Sequence, residues 1–380
     1  MTVGGGGRRL VAMRTTVFCA WMLSPMLHAE RADVSGELAE ILKQGPVPGM
    51  AAAFIADGKI TAAGAAGLRM AGDEEKVLLG DRFHLGSCTK SMTATLAALM
   101  VGDGKLEWDQ TVEKSFPGIE IHPSRAGTTL RRLLSNTSGC ATDVPGELWM
   151  TLWKEGVPEE EQRDLLVKGI LTSEAAHPPG TRYEYSNAGF SIAGAMLEKA
   201  AGKPYDELLR ERLFEPLGMR SAGFGAPATV EAPDQPHGHT LVNGKAVPVP
   251  PGHQADNPAA ITPAGRVHAS ILDFARYASL HLGTEERPAL TKAQLDLLHQ
   301  PVAPSKDYAL GWQVVERPWA GGTALTHTGT NTMFFAVMWL SPSRKFAAVA
   351  ACNLGGNDGA KACDDAVGLL IHRHFKEAGK

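Results

Sequence analysis

With 380 residues, 44% of them hydrophobic and 21% charged, the chain has a globular composition and more length than one hydrophobic core usually fills, so two subdomains are expected. Its 37 basic and 41 acidic residues give a formal charge of −4 without a basic patch, which excludes nucleic acid as a partner. At the N-terminus, Arg8, Arg9 and Arg14 flank an apolar run over 16–27 that is too short for a spanning helix. With Leu27-His28-Ala29 as an imperfect cleavage site, residues 1–29 read as a signal peptide and 30–380 as a mature periplasmic or secreted chain with no stable membrane span. A buried N-terminal helix is the alternative, and Met13 an alternative start.

In chain order, residues 33–44 read as a helix with Leu38, Ile41 and Leu42 on one side. Residues 50–55 and 60–64 read as strands around Asp57-Gly58, a hairpin signal. Residues 91–100 are uncharged and rich in helix formers, and predict a helix buried on most sides. Ser87-Cys88-Thr89-Lys90 opens it. Positions i and i+3 share a helix face, so the Lys90 ammonium lies beside the Ser87 hydroxyl. Burial lowers a lysine's pKa and makes it a base, and the positive end of the helix favours a developing alkoxide.

Residues 158–171 predict a helix with a solvated start at Glu159, Glu160 and Glu161. Pro178-Pro179-Gly180 marks a turn, after which Tyr185-Ser186-Asn187 leads into a helix over 190–200. A phenol beside a lysine relays protons, and a carboxamide binds polar substrate groups. The plainer alternative is a packed tyrosine ring with Asn187 as a helix cap. Helices over 205–213 and 271–282 flank residues 227–263, a Pro-, Gly- and His-rich stretch read as an extended loop. His237, His239 and His253 there lack a cysteine or carboxylate at ligand spacing, so they are read as solvated, with no metal.

Strands are expected over 309–315, 323–326, 333–340 and 345–352, then a helix over 360–375 carrying surface His372 and His374. Trp312 is assigned to the core rather than to a cleft wall. His327-Thr328-Gly329-Thr330 ends the second of these strands; Gly329 admits close approach of a ligand, and a neighbouring N–H can complete an oxyanion hole. The alternative is a strand end with a turn glycine and a solvated histidine. The N-terminal hairpin is expected to join the C-terminal strands in one antiparallel sheet (30–86 plus 301–380), with a mostly helical subdomain (87–300) inserted and the site at their junction. Beyond the signal, Cys88, Cys140, Cys352 and Cys363 allow one disulfide or none; Cys352 and Cys363 are near enough in sequence to bridge, and Cys88 suits apolar packing.

Taken in order, S-x-x-K, Tyr-x-Asn and His-x-Gly resemble the three motifs of the serine β-lactamase and penicillin-binding-protein superfamily. Tyr185 points to the class C-like branch, which also holds D-alanyl-D-alanine carboxypeptidases, D-aminopeptidases and esterases. Phe83-His84-Leu85-Gly86, Leu133 to Gly139, Leu213 to Met219 and Leu310-Gly311-Trp312 extend the likeness over most of the chain. The resemblance implies an α+β, β-lactamase/transpeptidase-like fold with no cofactor. It implies Ser87 as acyl-accepting nucleophile, Lys90 and Tyr185 as proton-handling partners, and Asn187, His327, Gly329 and Thr330 at the substrate. The N–H groups of Ser87 and Thr330 would hold the oxyanion. His327 stands where many members carry lysine, and a neutral imidazole is a poor anchor for a carboxylate. The expected function is therefore an exported serine hydrolase acting through an acyl-enzyme on an ester, amide or D-amino-acyl peptide bond. Its substrate would be a small molecule or peptide, peptidoglycan-derived stems included. A class C β-lactamase is one alternative; a non-catalytic peptidoglycan- or partner-binding module on the same fold is another, though such a module has no chemical need for an intact Ser87, Lys90, Tyr185 and Asn187.

Overall fold

The computed structural model describes residues 1–5, 31–154, 156–285, 288, 290–377 and 379. The chain divides into two units, 1–30 and 31–380, and the fold below is that of the second. The charged and apolar run read as an export signal lies outside the described residues.

A two-residue strand β1 (Ala32–Asp33) and helix α1 (Ser35–Leu42) precede the first hairpin. Asp57 and Gly58 both take left-handed backbone, φ 49° and 75°, as a two-residue hairpin turn requires. They join β2 (Gly49–Ala56) to β3 (Lys59–Gly67). After the short β4 (Arg82–His84) comes helix α2 (Thr89–Gly102), preceded by a 3-10 turn over Gly86–Cys88. Every residue from Thr89 to Met100 is buried, as the uncharged run over 91–100 requires, and Lys90 is buried with it. The hydroxyls on this helix find backbone partners: Thr89 donates to Gly86 O at 2.7 Å and Thr93 to Pro263 O at 2.6 Å.

Helix α3 (Glu159–Leu171) and helix α4 (Asn187–Ala201) form the helical layer beside α2. Short strand β5 (Gly223–Phe224) is followed by β6 (His239–Val242) and β7 (Lys245–Pro248), then β8 (Val267–Ser270) and α5 (Ile271–His281). Helix α6 (Lys292–His299), strands β9 (Gln313–Arg317), β10 (Gly322–Thr330), β11 (Phe335–Ser341) and β12 (Phe346–Cys352), and the terminal α7 (Gly356–Glu377) complete the chain.

One seven-stranded sheet runs β1-β3-β2-β12-β11-β10-β9, so the N-terminal hairpin adds directly to the C-terminal meander through β2 and β12. All pairings are antiparallel except β1 with β3, where Ala32 lies parallel to Ala62; the sheet is thus mixed rather than wholly antiparallel. α1 and α7 cover one face and α5 the other. A second, three-stranded sheet β4-β8-β5 ties the segment before Ser87 to the end of the helical region.

Several expectations are corrected. Residues 227–263 are not a plain loop: Asn243 and Gly244, with φ 51° and 76°, turn a second hairpin, β6–β7. Its start carries His237 and His239 into the interior, at 2% and 0% exposure. His239 bridges two segments, with Nδ1 2.7 Å from Asn353 O and Nε2 accepting from Ala71 N–H at 2.9 Å. His253 alone of the three stays exposed, 2.6 Å from Trp153 O through Nε2. His374 is half-buried against Phe54 and Phe346, ring centroids 4.8 and 5.3 Å apart, whereas His372 is exposed. The strand expected from 309 starts only at Gln313, because Gly311 (φ 74°) turns against α2, where a methyl group would lie 2.7 Å from Lys90 O. Trp312 is fully buried, in line with its core assignment. The four described cysteines are free and buried, Cys352 and Cys363 included.

Candidate active site

Ser87 sits half-buried on the 3-10 turn that opens α2, and Lys90 one turn later is fully buried. Lys90 Nζ lies 3.0 Å from Ser87 Oγ, 2.7 Å from Asn187 Oδ1 and 2.8 Å from Ala264 O. Burial pushes the Lys90 pKa well below the ordinary lysine value. A neutral amine has two N–H groups and one lone pair. Asn187 and Ala264 take the two hydrogens, so the lone pair is left facing the Ser87 hydroxyl. Tyr185 completes the trio, its phenol donating to Ser87 Oγ at 2.7 Å. Burial raises the Tyr185 pKa and keeps the phenol protonated, against the opposing hydrogen bond to Ser87. Its ring also lies under Lys90 Nζ, 4.6 Å from the centroid.

The Tyr185 segment is held by local chemistry. Ser186, not Asn187, caps α4, its hydroxyl accepting from Gly189 N–H at 3.2 Å. That frees the Asn187 carboxamide for Lys90. Asn136, left-handed at φ 58°, accepts from Ser186 N–H through Oδ1 at 3.0 Å and from Glu184 N–H through its own carbonyl at 2.8 Å. The Leu133-to-Gly139 segment therefore acts as the bracket for Tyr185.

β10 passes against the Ser87 turn so closely that neither segment tolerates a side chain there. A methyl on Gly329 would fall 2.0 Å from Leu85 O and 2.6 Å from Ser87 N, and one on Gly86 2.2 Å from Thr330 N. The Ser87 and Thr330 amides meet at this contact, the arrangement an oxyanion hole needs. His327, 4% exposed, has both ring nitrogens engaged: Nδ1 lies 2.6 Å from Thr328 O, and Nε2 3.2 Å from Tyr308 OH. Burial, then the neighbouring Lys90, pushes its pKa down to about 3, so it is neutral at physiological pH.

Ser87, Asn187 and Thr330 open onto a cavity of about 450 Å³, walled also by Asn331, Asn257, Gly265 and Trp149 among others, whereas Lys90, Tyr185, His327 and Gly329 are not part of its lining. The described lining includes no lysine or arginine, and its one carboxylate is Asp143. Sequence reasoning had not singled out Asn257, Asn331 or Trp149, nor Asp256, which stands behind the wall. The available signal was the Phe83-His84-Leu85-Gly86 flank, since His84 reaches Asp256.

A serine, buried lysine and tyrosine converging at one end of a helix-flanked sheet define a serine hydrolase of the β-lactamase/transpeptidase-like fold. The Beta-lactamase family model matches residues 34–371, and the chain belongs to that family. Penicillin-binding protein 4 of Amycolatopsis lactamdurans is 28% identical over 328 residues, covering 81% of either chain. Among solved structures, the octameric penicillin-binding protein homologue from Pyrococcus abyssi has a TM-score of 0.72 at 24% identity, covering 91% of this chain and 77% of its own. EstCE1, described as a hydrolase with promiscuous acyltransferase activity, has a TM-score of 0.73 at 18% identity, covering 89% of this chain and 96% of its own.

Proposed function

We propose that the protein hydrolyses esters or amides through an acyl-enzyme at Ser87, and that it does so outside the cytoplasm after export. The observation carrying this reading is the convergence of Lys90 Nζ and Tyr185 OH on Ser87 Oγ at 3.0 and 2.7 Å. As Ser87 Oγ bonds to the substrate carbonyl carbon, its proton passes to the Lys90 lone pair. The carbonyl oxygen gains charge between the Ser87 and Thr330 amides. When the carbon–leaving-group bond breaks, the leaving group takes a proton delivered through Lys90 and Tyr185. A water then attacks the acyl carbon, its proton passing to Lys90; the acyl carbon–Ser87 Oγ bond breaks, Oγ takes that proton back from Lys90, and the carboxylic acid leaves.

The charge of the cleft supports neutral or amine-bearing substrates over carboxylated ones. His327 is neutral, the described lining has no cation, and Asp143 adds one negative charge. Esters, amides and D-amino-acyl amides with a free amine fit this better than β-lactams, whose carboxylate would go unpaired. The acyl transfer described for EstCE1 is consistent with a shared acyl-enzyme route.

The test is covalent. Wild-type protein should gain one fluorophosphonate adduct, read by intact mass and mapped to Ser87. Ser87→Ala should lose both adduct and turnover on p-nitrophenyl esters. Retained turnover in Ser87→Ala would refute the assignment, and no adduct with either a fluorophosphonate or a penicillin probe would favour a binding module. A panel of short-chain esters, D-amino-acid amides and β-lactams then ranks the substrate classes. Export is tested by N-terminal sequencing of protein recovered outside the cytoplasm, with cleavage expected after Ala29.

A further inference from the structure

We propose that Asp256 is a positioning residue that clamps both backbone arms of the oxyanion site, through His84 on one side and Asn331 on the other. The inference rests on the Ser87 reading above. Asp256 and His84 are 6% and 0% exposed, and Asp256 Oδ1 lies 2.8 Å from His84 Nε2. The other ring nitrogen, Nδ1, accepts from Gly86 N–H at 3.1 Å. An imidazole whose Nδ1 accepts carries its proton on Nε2, and that nitrogen stands 2.8 Å from the carboxylate, a close polar contact rather than an aligned hydrogen bond. The carboxylate therefore fixes the ring, and the ring fixes the Gly86 peptide. Gly86 is left-handed, φ 49°, and immediately precedes Ser87. Its orientation sets where the Ser87 amide points.

The second arm follows Thr330. Asn331 Nδ2 lies 3.5 Å from the same Asp256 oxygen, while Asn331 Oδ1 accepts from Met333 N–H at 3.2 Å and Phe334 N–H at 3.0 Å. The side chain of Asn331 is thus fixed at both ends, and it fixes the turn that carries the Thr330 amide. Asp256 also accepts from Asn257 N–H at 2.7 Å and, through Oδ2, from Arg266 Nε at 3.1 Å. Arg266 continues to Glu159 at 3.1 Å. One buried carboxylate therefore gathers the turn before the nucleophile, the turn after β10 and the facing wall of the cavity. It does not itself line that cavity. Oxyanion donors stabilise charge only when they are held in place beforehand, and a displacement of about 1 Å costs roughly 10²-fold in rate. Holding two amides with one group is the role this geometry gives Asp256.

The experiment compares Asp256→Ala, Asp256→Asn and Phe346→Leu on p-nitrophenyl butyrate. Phe346, 1% exposed, lies in the core on the far face of the sheet and serves as a destabilised control. Asp256→Ala is expected to lower kcat ~10²-fold with KM within ~3-fold. In Asp256→Asn an oxygen still faces His84, now without charge, so the fall should shrink to ~10-fold. Phe346→Leu, brought to the same Tm loss, should keep kcat within ~2-fold. Wild-type fluorophosphonate labelling at Ser87 establishes separately that the nucleophile reading stands; if labelling fails, the clamp falls with it. With labelling intact, the proposal is overturned if Asp256→Ala keeps its kcat, if the loss lies in KM alone, or if Phe346→Leu loses as much. Should Asp256→Ala not fold, Asp256→Asn decides: a ~10-fold kcat fall at unchanged KM supports the clamp, and wild-type kcat overturns it.

Discussion

The charge state of Lys90 follows from what surrounds its amine. Two acceptors, Asn187 Oδ1 and Ala264 O, are in place, and among the described residues no carboxylate pairs with it. Burial lowers its pKa, so the neutral form persists well below the ordinary lysine range and is lost as pH falls through that lowered value. The kcat/KM profile should therefore show its acid limb well below the ordinary lysine range. Activity that rose only above pH ~10 would contradict a neutral Lys90. Lys90→Arg, permanently charged, should lose the base and fall by ~10²–10⁴-fold in kcat/KM. Gly329→Ala makes a steric test of the same site. Its methyl would lie 2.0 Å from Leu85 O, so the nucleophile turn must shift, and kcat should drop by ~10². An unchanged kcat would show that the contact is not needed. Ser87, Lys90, Tyr185 and Asn187 were legible in the sequence because short spacings bring them to helix starts. Asp256 was not, because its partner His84 is remote in the chain and only the folded β4-β8-β5 region brings them together.

At the level of elements, the central strands explain how helices approach the sheet on both faces. β2 carries Ala51, Ala52 and Ala53, and β12 carries Ala347, Ala348, Ala350 and Ala351, all buried. Alternation puts Ala52 and Ala350, paired across the strands, on the face covered by α1 and α7. A larger side chain there must push a helix away. Ala350→Leu is expected to destabilise by about 1–3 kcal/mol, read as a lower urea midpoint with an unchanged slope; a variant as stable as wild type would mean that this layer is loosely packed. The first hairpin was readable because Asp57-Gly58 separates two clear strands. Asn243-Gly244 carries an equally strong turn signal, but Pro, Gly and His surround it. Three of the four β6 residues are exposed, so no alternation marks the strand. The last two strands were placed closely because each is a continuous apolar run bounded by a turn, and the first was missed at 309–312, where Gly311 trades strand geometry for contact with α2.

For the whole molecule, the buried histidines set how the fold responds to acid. Burial holds His239, His268 and His299 down to about 4 and His327 down to about 3. In the unfolded chain each would titrate near 6.5. Between that value and the lowered one, the unfolded state binds protons that the folded state refuses. Their contribution is thus complete above pH ~6.5 and is lost as pH falls toward 4 and below, each group adding up to about 1.4 kcal/mol per pH unit. Burial raises the Asp256 carboxyl, but His84, Arg266 and the Asn257 amide together outweigh it and hold it below the usual carboxylate value, so it acts in the same direction further down. The unfolding temperature measured by calorimetry should therefore be flat near neutrality and fall steeply from pH ~6.5 to 4. This loss is separable from the Lys90 limb, because protonating the amine lowers kcat/KM in protein that is still folded. A Tm unchanged from pH 7 to 4 would mean that these imidazoles are solvated or charged, and the neutral His327 on which the substrate preference rests would go with them.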